Sequence, residues 1–194
     1  MKHPMTIVKD FRTKVFNMLE EYDNKPLNLL IAGGSVLYCL EHPQVLNLNT
    51  KQWNIYFCDE RITTNPEDLN YVQAALFHSN TSAKMHILCE ENKQEYIDVY
   101  KKIDLCFMGI GNDGHIASIF PNSSILDSEN LLEQINNSPK PPPHRITVTI
   151  KFLNGIKKIF FLLPMVGGKK KSISKPHSSI LERLKTEYEV FYQG

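Results

Sequence analysis

The sequence predicts an α/β fold built on a largely parallel sheet, and three observations carry that prediction. Apolar, strand-like runs alternate along the chain with segments of helical periodicity, the order expected of successive βαβ units. The run from Lys158 to Leu163 is nearly all apolar and does not alternate, as in a strand covered on both faces. Three strand ends open onto small polar loops (33–35, 59–61 and 109–115). In open parallel sheets that edge is where ligands bind.

The elements follow in order. Residues 5–22 place Ile7, Val8, Phe11, Val15, Met18 and Leu19 near helical spacing, which predicts an amphipathic helix ended by Asp23-Asn-Lys-Pro26. Leu27 to Ala32 is a strand stopped by Gly33, Gly34 and Ser35, and Val36 to Glu41 a short helix. Trp53 to Cys58 is a second strand, Asn70 to Phe77 a helix, His86 to Cys89 a short strand and Glu91 to Lys102 a helix. Leu105 to Ile110 is the strand that opens onto the glycine loop. Lys140-Pro-Pro-Pro-His144 is a stiff polyproline spacer. Arg145 to Ile150 alternates like a strand, and Phe152 to Gly155 is a helical turn. After the strand ending at Leu163 come a helix over Ser178 to Lys185 and a strand over Tyr188 to Tyr192. No internal repeat interrupts this order, and residues 1–194 are expected to form one domain.

Composition narrows the function classes. The chain has 194 residues, 42% hydrophobic and 22% charged, with 22 Lys plus Arg against 21 Asp plus Glu. That balance gives no global field for nucleic acid or an acidic membrane surface. No apolar run reaches the ~20 residues of a membrane span, and the first residues lack the apolar stretch of a secretory signal. Cys39, Cys58, Cys89 and Cys106 are widely spaced with no C-x-x-C pair, as expected of free thiols in the cytoplasm. No clustering of His and Cys implies a metal.

The chemistry gathers at the loops. Gly109-Ile-Gly-Asn-Asp-Gly-His115 follows an apolar strand and sets Asp113 beside His115. Glycines let the backbone approach a ligand closely, and a histidine there can carry a proton near neutral pH. A carboxylate two residues away can fix its tautomer and raise its basicity. His3, His42, His78, His86, His144 and His177 have no such context and are expected to be structural or surface residues. Gly109 to Gly114 formally matches the dinucleotide fingerprint G-x-G-x-x-G, but it follows a late strand and Pro121 limits the helix that would receive a pyrophosphate. Gly33-Gly34-Ser35 reads either as an anion-binding turn at a helix start or as an ordinary turn with Ser35 as N-cap. Arg61 has the fork geometry for phosphate or carboxylate, and Asp59 would order Arg61 or bind a substrate hydroxyl. Lys169-Lys-Lys171 behind Gly167-Gly168 reads either as a solvated basic face or as a contact to phosphate, and Arg145 behind the prolines as a second anion contact.

These motifs, in this order, resemble the 6-phosphogluconolactonase family within the wider group that includes glucosamine-6-phosphate deaminase. The matching pieces are Ala32-Gly-Gly-Ser35, Phe57-Cys-Asp-Glu-Arg61, Asn70-Tyr71, Gly109 through His115 to Pro121, Ser138-Pro-Lys-Pro-Pro-Pro-His-Arg-Ile-Thr147 and Leu153-Asn154. The resemblance implies a Rossmann-like three-layer α/β sandwich with a mostly parallel sheet. It implies metal-independent hydrolysis of a phosphorylated sugar lactone, without cofactor. His115 would be the base that activates water, supported by Asp113. Gly34, Ser35, Asp59, Arg61, Gly111, Arg145 and a lysine after Gly168 (Lys169 or Lys170) would bind the sugar phosphate. The deaminase branch continues into Phe-Asn-Glu-Pro, whose acid serves ring opening. This chain reads Ser118-Ile-Phe-Pro121, which points to the lactonase branch. A deaminase-like enzyme and a non-catalytic sugar-phosphate sensor are the alternatives. The expected ligand is a small sugar phosphate and the expected assembly a monomer or weak homodimer.

Overall fold

The computed structural model describes residues 5–165 and 180–194. Along the chain, β1 (Met5–Val8) leads through Asp10 into α1 (Phe11–Leu19), then β2 (Leu27–Ile31), α2 (Ser35–Leu40) and α3 (Pro43–Leu46). β3 (Trp53–Phe57) passes at once into β4 (Asp59–Arg61), followed by α4 (Asn70–Gln73), α5 (Ala75–Ser79), β5 (Lys84–His86), α6 (Lys93–Val99) and β6 (Leu105–Met108). β7 (Leu132–Ile135), β8 (Arg145–Val148), α7 (Ile150–Leu153), β9 (Ile159–Leu163) and β10 (Tyr188–Gln193) complete it.

Seven strands form one sheet in the order β1-β10-β9-β6-β2-β3-β5, and each neighbouring pair runs parallel. The central strands show why the sequence folds so. Every residue of β6 and β9 is buried, and so are four of the five in each of β2 and β3. Consecutive side chains point to opposite faces, so burial at successive positions means that both faces are covered. Phe57, Phe107 and Phe161 are fully buried in this core. An α/β fold on a largely parallel sheet is what the sequence predicts.

The first predicted helix is the main departure. Residues 5–8 are not helical: β1 adds to the sheet edge beside β10, pairing Met5 with Val190 and Ile7 with Tyr192. The helix starts only at Phe11, where Asp10 Oδ1 accepts hydrogen bonds from the N–H groups of Arg12 (3.0 Å) and Thr13 (3.2 Å). Phe11, Val15 and Leu19 then bury one face at four-residue spacing. Thr6-Ile7-Val8 are branched residues suited to a strand, and Asp10 is the break that periodicity alone passes over. Two other strands shift or appear. The predicted 86–89 strand lies at Lys84–His86, and β7 falls where no strand is predicted. The helix predicted over 178–185 lies partly outside the described residues; within them, Leu181–Arg183 is a single 3₁₀ turn.

A second, small antiparallel sheet, β4-β8-β7, positions the functional loops. Cys58 is its hinge. The Cys58 N–H donates to Ile31 O of the main sheet at 2.8 Å, and its carbonyl accepts from Val148 N–H of β8 at 2.9 Å. The chain therefore changes sheets in one residue and carries Asp59 and Arg61 over the carboxyl edge of the parallel strands. The segment 59–61, read from sequence as a loop, is a short strand for this reason. Among the described residues no helix is long and apolar enough to cross a membrane. All four cysteines are free thiols, three of them buried.

Candidate active site

Each polar loop is built by a local necessity. After β2, Gly34 adopts φ 64° and ψ −131°, a conformation L side chains rarely take, and it occupies the N-cap position of α2 without a side-chain bond. Ser35 is thus the first helical residue and not the cap. Gly33 is needed for space, because a Cβ there would lie 2.0 Å from Asn70 Oδ1. Asn70 in turn opens α4 and ties it to β4: its Nδ2 donates to the Asp59 carbonyl at 2.8 Å and to Asp59 Oδ1 at 3.2 Å.

The side chains of β4 divide by face. Glu60 is buried and accepts from the N–H groups of Arg61 (2.7 Å), Asn70 (2.7 Å) and Tyr71 (2.9 Å), so it caps α4. Burial raises its pKa, against those three donors. Asp59 is also buried and does not order Arg61. Its Oδ2 accepts from Ser118 Oγ at 2.5 Å and stands 3.9 Å from Arg145 Nη1. Arg61 donates through Nη1 to the Asp68 carbonyl, while its Nε is buried with no hydrogen-bond partner among the described residues.

Arg61 and Arg145 sit directly opposite each other in the β4–β8 register. Like charges so placed are destabilising unless an anion joins them. Arg145 is almost wholly buried, and its donors are largely committed: Nε to Pro142 O (3.1 Å), Nη2 to Lys140 O (3.0 Å) and Pro141 O (2.9 Å), Nη1 to Ser118 Oγ (3.2 Å). It holds the proline segment, which includes a cis bond between Pro141 and Pro142, and adds a cation to the wall.

The loop after β6 presents the histidine. Gly111 N–H donates to the His115 carbonyl at 2.8 Å, and Gly114 N–H, at φ 86°, to the Gly111 carbonyl at 2.9 Å. These two amides are spent inside the loop. His115 Nδ1 meets Asp113 Oδ1 at 2.5 Å, which makes Nδ1 the protonated nitrogen and leaves the Nε2 lone pair free. The ring stacks on Phe120 with centroids 4.8 Å apart. Burial comes first among the causes that lower the His115 pKa; Asp113 opposes it and the nearby Lys140 charge reinforces it. At Asp113 burial works against ionisation, but the hydrogen bonds and charges of His115 and Lys140 outweigh it and bring the pKa to about 2.

One cavity of about 220 Å³ unites these pieces. Gly33, Gly34, Ser35, Asp59, Arg61, Asn70, Gly111, His115 and Arg145 all line it. Asp113 stands behind the imidazole, outside the lining. Of the residues singled out from sequence, Lys169 and Lys170 lie outside the described residues. Asn70, Ser118, Phe120 and Lys140 were not singled out for a role. Their place inside the family-like motifs at 70–71, 109–121 and 138–147 is the signal that could have found them. Among the described residues no group of three or more His, Cys, Asp or Glu gathers as a metal site. No helix follows β6 to receive a pyrophosphate, since the chain runs in turns to Ser124.

The sequence profile of the glucosamine-6-phosphate isomerases/6-phosphogluconolactonase family matches residues 4–181. The chain belongs to that family. Curated relatives agree. It is 29% identical over 163 residues to a probable 6-phosphogluconolactonase of Drosophila melanogaster, covering 75% of this chain and 66% of the fly protein. It is 29% identical over 133 residues to the 6-phosphogluconolactonase of Rattus norvegicus, covering 57% and 51%. The chain thus spans about half to two thirds of the length of the curated relatives it matches. Crystal structures of 6-phosphogluconolactonases from Thermotoga maritima (TM-score 0.75, 21% identity, 96% and 97% of the two chains) and Shewanella baltica (0.75, 18%, 100% and 98%) share its fold. Within the family, the described site combines a carboxylate-held histidine with paired arginines on one cavity wall.

Proposed function

We propose that the protein hydrolyses 6-phospho-D-glucono-1,5-lactone to 6-phosphogluconate without a metal. The observation that carries this is the sharing of one cavity by an imidazole whose Nε2 is unbonded among the described residues and by two arginines from facing register positions of β4 and β8. Neutral His115 takes a proton from water through Nε2. The resulting hydroxide attacks the lactone carbonyl, and the imidazolium returns the proton to the ring oxygen as the C–O bond breaks. Asp113 fixes the tautomer and steadies the imidazolium. Arg61, whose buried Nε has no partner among the described residues, grips the phosphate, with Arg145 behind it and Gly34 and Ser35 at the cavity rim. Asp59 faces the cavity as an acceptor for a sugar hydroxyl. The same reading takes residues 1–194 as one catalytic domain, cytoplasmic, a monomer or weak homodimer, with Lys169 or Lys170 as a further phosphate contact.

A dehydrogenase-coupled assay on freshly made lactone tests this directly. A rate no greater than spontaneous hydrolysis would leave the sensor alternative, and ammonia release from glucosamine 6-phosphate the deaminase one. Arg61→Ala is expected to raise KM by roughly 10- to 100-fold with a smaller change in kcat, since a phosphate contact persists from ground state to transition state. An unchanged KM would remove Arg61 from the anchor. The pH profile has a definite sign. Because the His115 pKa is lowered, the base stays unprotonated further into acid than an ordinary histidine. The acidic limb of kcat/KM should therefore fall below the usual histidine range, and a limb above it would contradict the assignment.

A further inference from the structure

Lys140 reaches the base from outside the cavity. Its ammonium stands 3.1 Å from Asp113 Oδ2 and 3.3 Å from His115 Nδ1. Both contacts cannot be hydrogen bonds, because Nδ1 cannot donate to Asp113 and accept from Lys140 at once. The 2.5 Å contact with the carboxylate takes the ring proton, so the lysine bonds Oδ2 and its charge is left beside the ring edge. The position is built rather than borrowed. The carbonyls of Lys140, Pro141 and Pro142 all accept from the buried Arg145 guanidinium, and Lys140 N–H donates to Ser138 Oγ at 3.3 Å. A long flexible side chain is thereby launched from a fixed backbone.

We propose that Lys140 is a positioning residue for His115: its ammonium closes the second oxygen of Asp113 and biases the imidazole toward the neutral form that can accept a proton. The groups facing the ring make the need plain. Asp113 on the same loop and Asp59 on β4 both favour the imidazolium. Arg145 is one ring removed, 5.9 Å over Phe120. Among the described residues Lys140 is the cation in direct contact, and it works with burial against the two carboxylates. Without it, a histidine held by a carboxylate would keep its proton to higher pH and be a poorer acceptor at neutrality.

This inference rests on His115 being the base, so the test has a readout that does not need turnover. The His115 Cε1–H resonance, assigned by its loss in His115→Ala, is followed by NMR through a pH titration in the unaltered protein, Lys140→Met and Lys140→Arg. Both variants keep the long side-chain stem, on a backbone pinned by Arg145. In Lys140→Met the midpoint should rise by roughly one pH unit, tenfold in proton affinity; in Lys140→Arg it should stay. The acidic limb of kcat/KM should move by the same amount in Lys140→Met while the plateau at higher pH is kept. An unmoved midpoint in Lys140→Met overturns the proposal. So does a raised KM with an unmoved midpoint, which would make Lys140 a substrate contact. Absence of lactonase activity in the unaltered protein would instead sink the functional reading and leave the titration to be judged alone.

Discussion

Replacing His115 with alanine is expected to lower kcat by ~10²–10⁴-fold while affinity for 6-phosphogluconate stays close to that of the unaltered protein. The separation follows from how the site is built. Among the described residues, the imidazole is the one lining group with an unbonded basic nitrogen, held in a fixed tautomer by the 2.5 Å bond to Asp113 and the stack on Phe120. The cationic wall depends on other elements: Arg61 on β4 and Arg145 on β8 keep their bonds to Asp68, Ser118 and the proline segment when the imidazole is gone. Asp113 also keeps Lys140, so no carboxylate is left buried and unpaired. Isothermal calorimetry with the product and the coupled assay measure the two quantities independently. Turnover near that of the unaltered protein would remove His115 as the base. Product affinity lost along with kcat would mean the ring holds the ligand instead of activating water. Asp113→Asn should cost less, because the ring remains and only its tautomer and charge support are altered.

Much of this site is legible in the residues. Glycines after apolar strands, an acid two residues before a histidine and an arginine just past a strand end are local patterns, and a parallel sheet brings its carboxyl ends to one edge without further instruction. That is why loops 33–35, 59–61 and 109–115 meet although they are far apart in the chain. What stays hidden depends on partners that spacing does not name. Asp59 answers to Ser118, 59 residues away, and not to Arg61 two residues on, because Cys58 turns β4 out of the main sheet. Lys140 looks like solvent-facing charge in a proline spacer; only Arg145 bonding the spacer's carbonyls aims it at Asp113. The edge strand β1 was hidden for the opposite reason. Its apolar residues match helical spacing, yet three of its four residues are exposed and what fixes them is backbone pairing with β10, a contact 185 residues away in register.

Gly111→Ala is expected to lose activity almost as completely as His115→Ala, with much less effect on thermal stability. A Cβ at position 111 would lie 2.1 Å from both Cε1 and Nδ1 of His115 and 2.7 Å from Asp113 Oδ1. Something must yield at those distances. The glycine's own backbone is held, since its N–H donates to the His115 carbonyl and its carbonyl accepts from Gly114. The movable party is the imidazole, whose side chain is 21% exposed and can swing outward. Swinging breaks the Nδ1 bond to Asp113 and the stack on Phe120, so the proposed base loses both its tautomer and its place in the cavity. A misplacement of about 1 Å at a reacting group is enough to cost on the order of 10²-fold. Stability should change little, because the residues concerned lie in a loop at the sheet edge and the buried core strands are untouched. The NMR titration separates this from a global defect: the His115 resonance should move toward the pKa of an ordinary exposed histidine while the other resonances stay in place. Full activity in Gly111→Ala would show that the loop backs away as a unit. The tight approach of backbone to imidazole would then not be what sets the base.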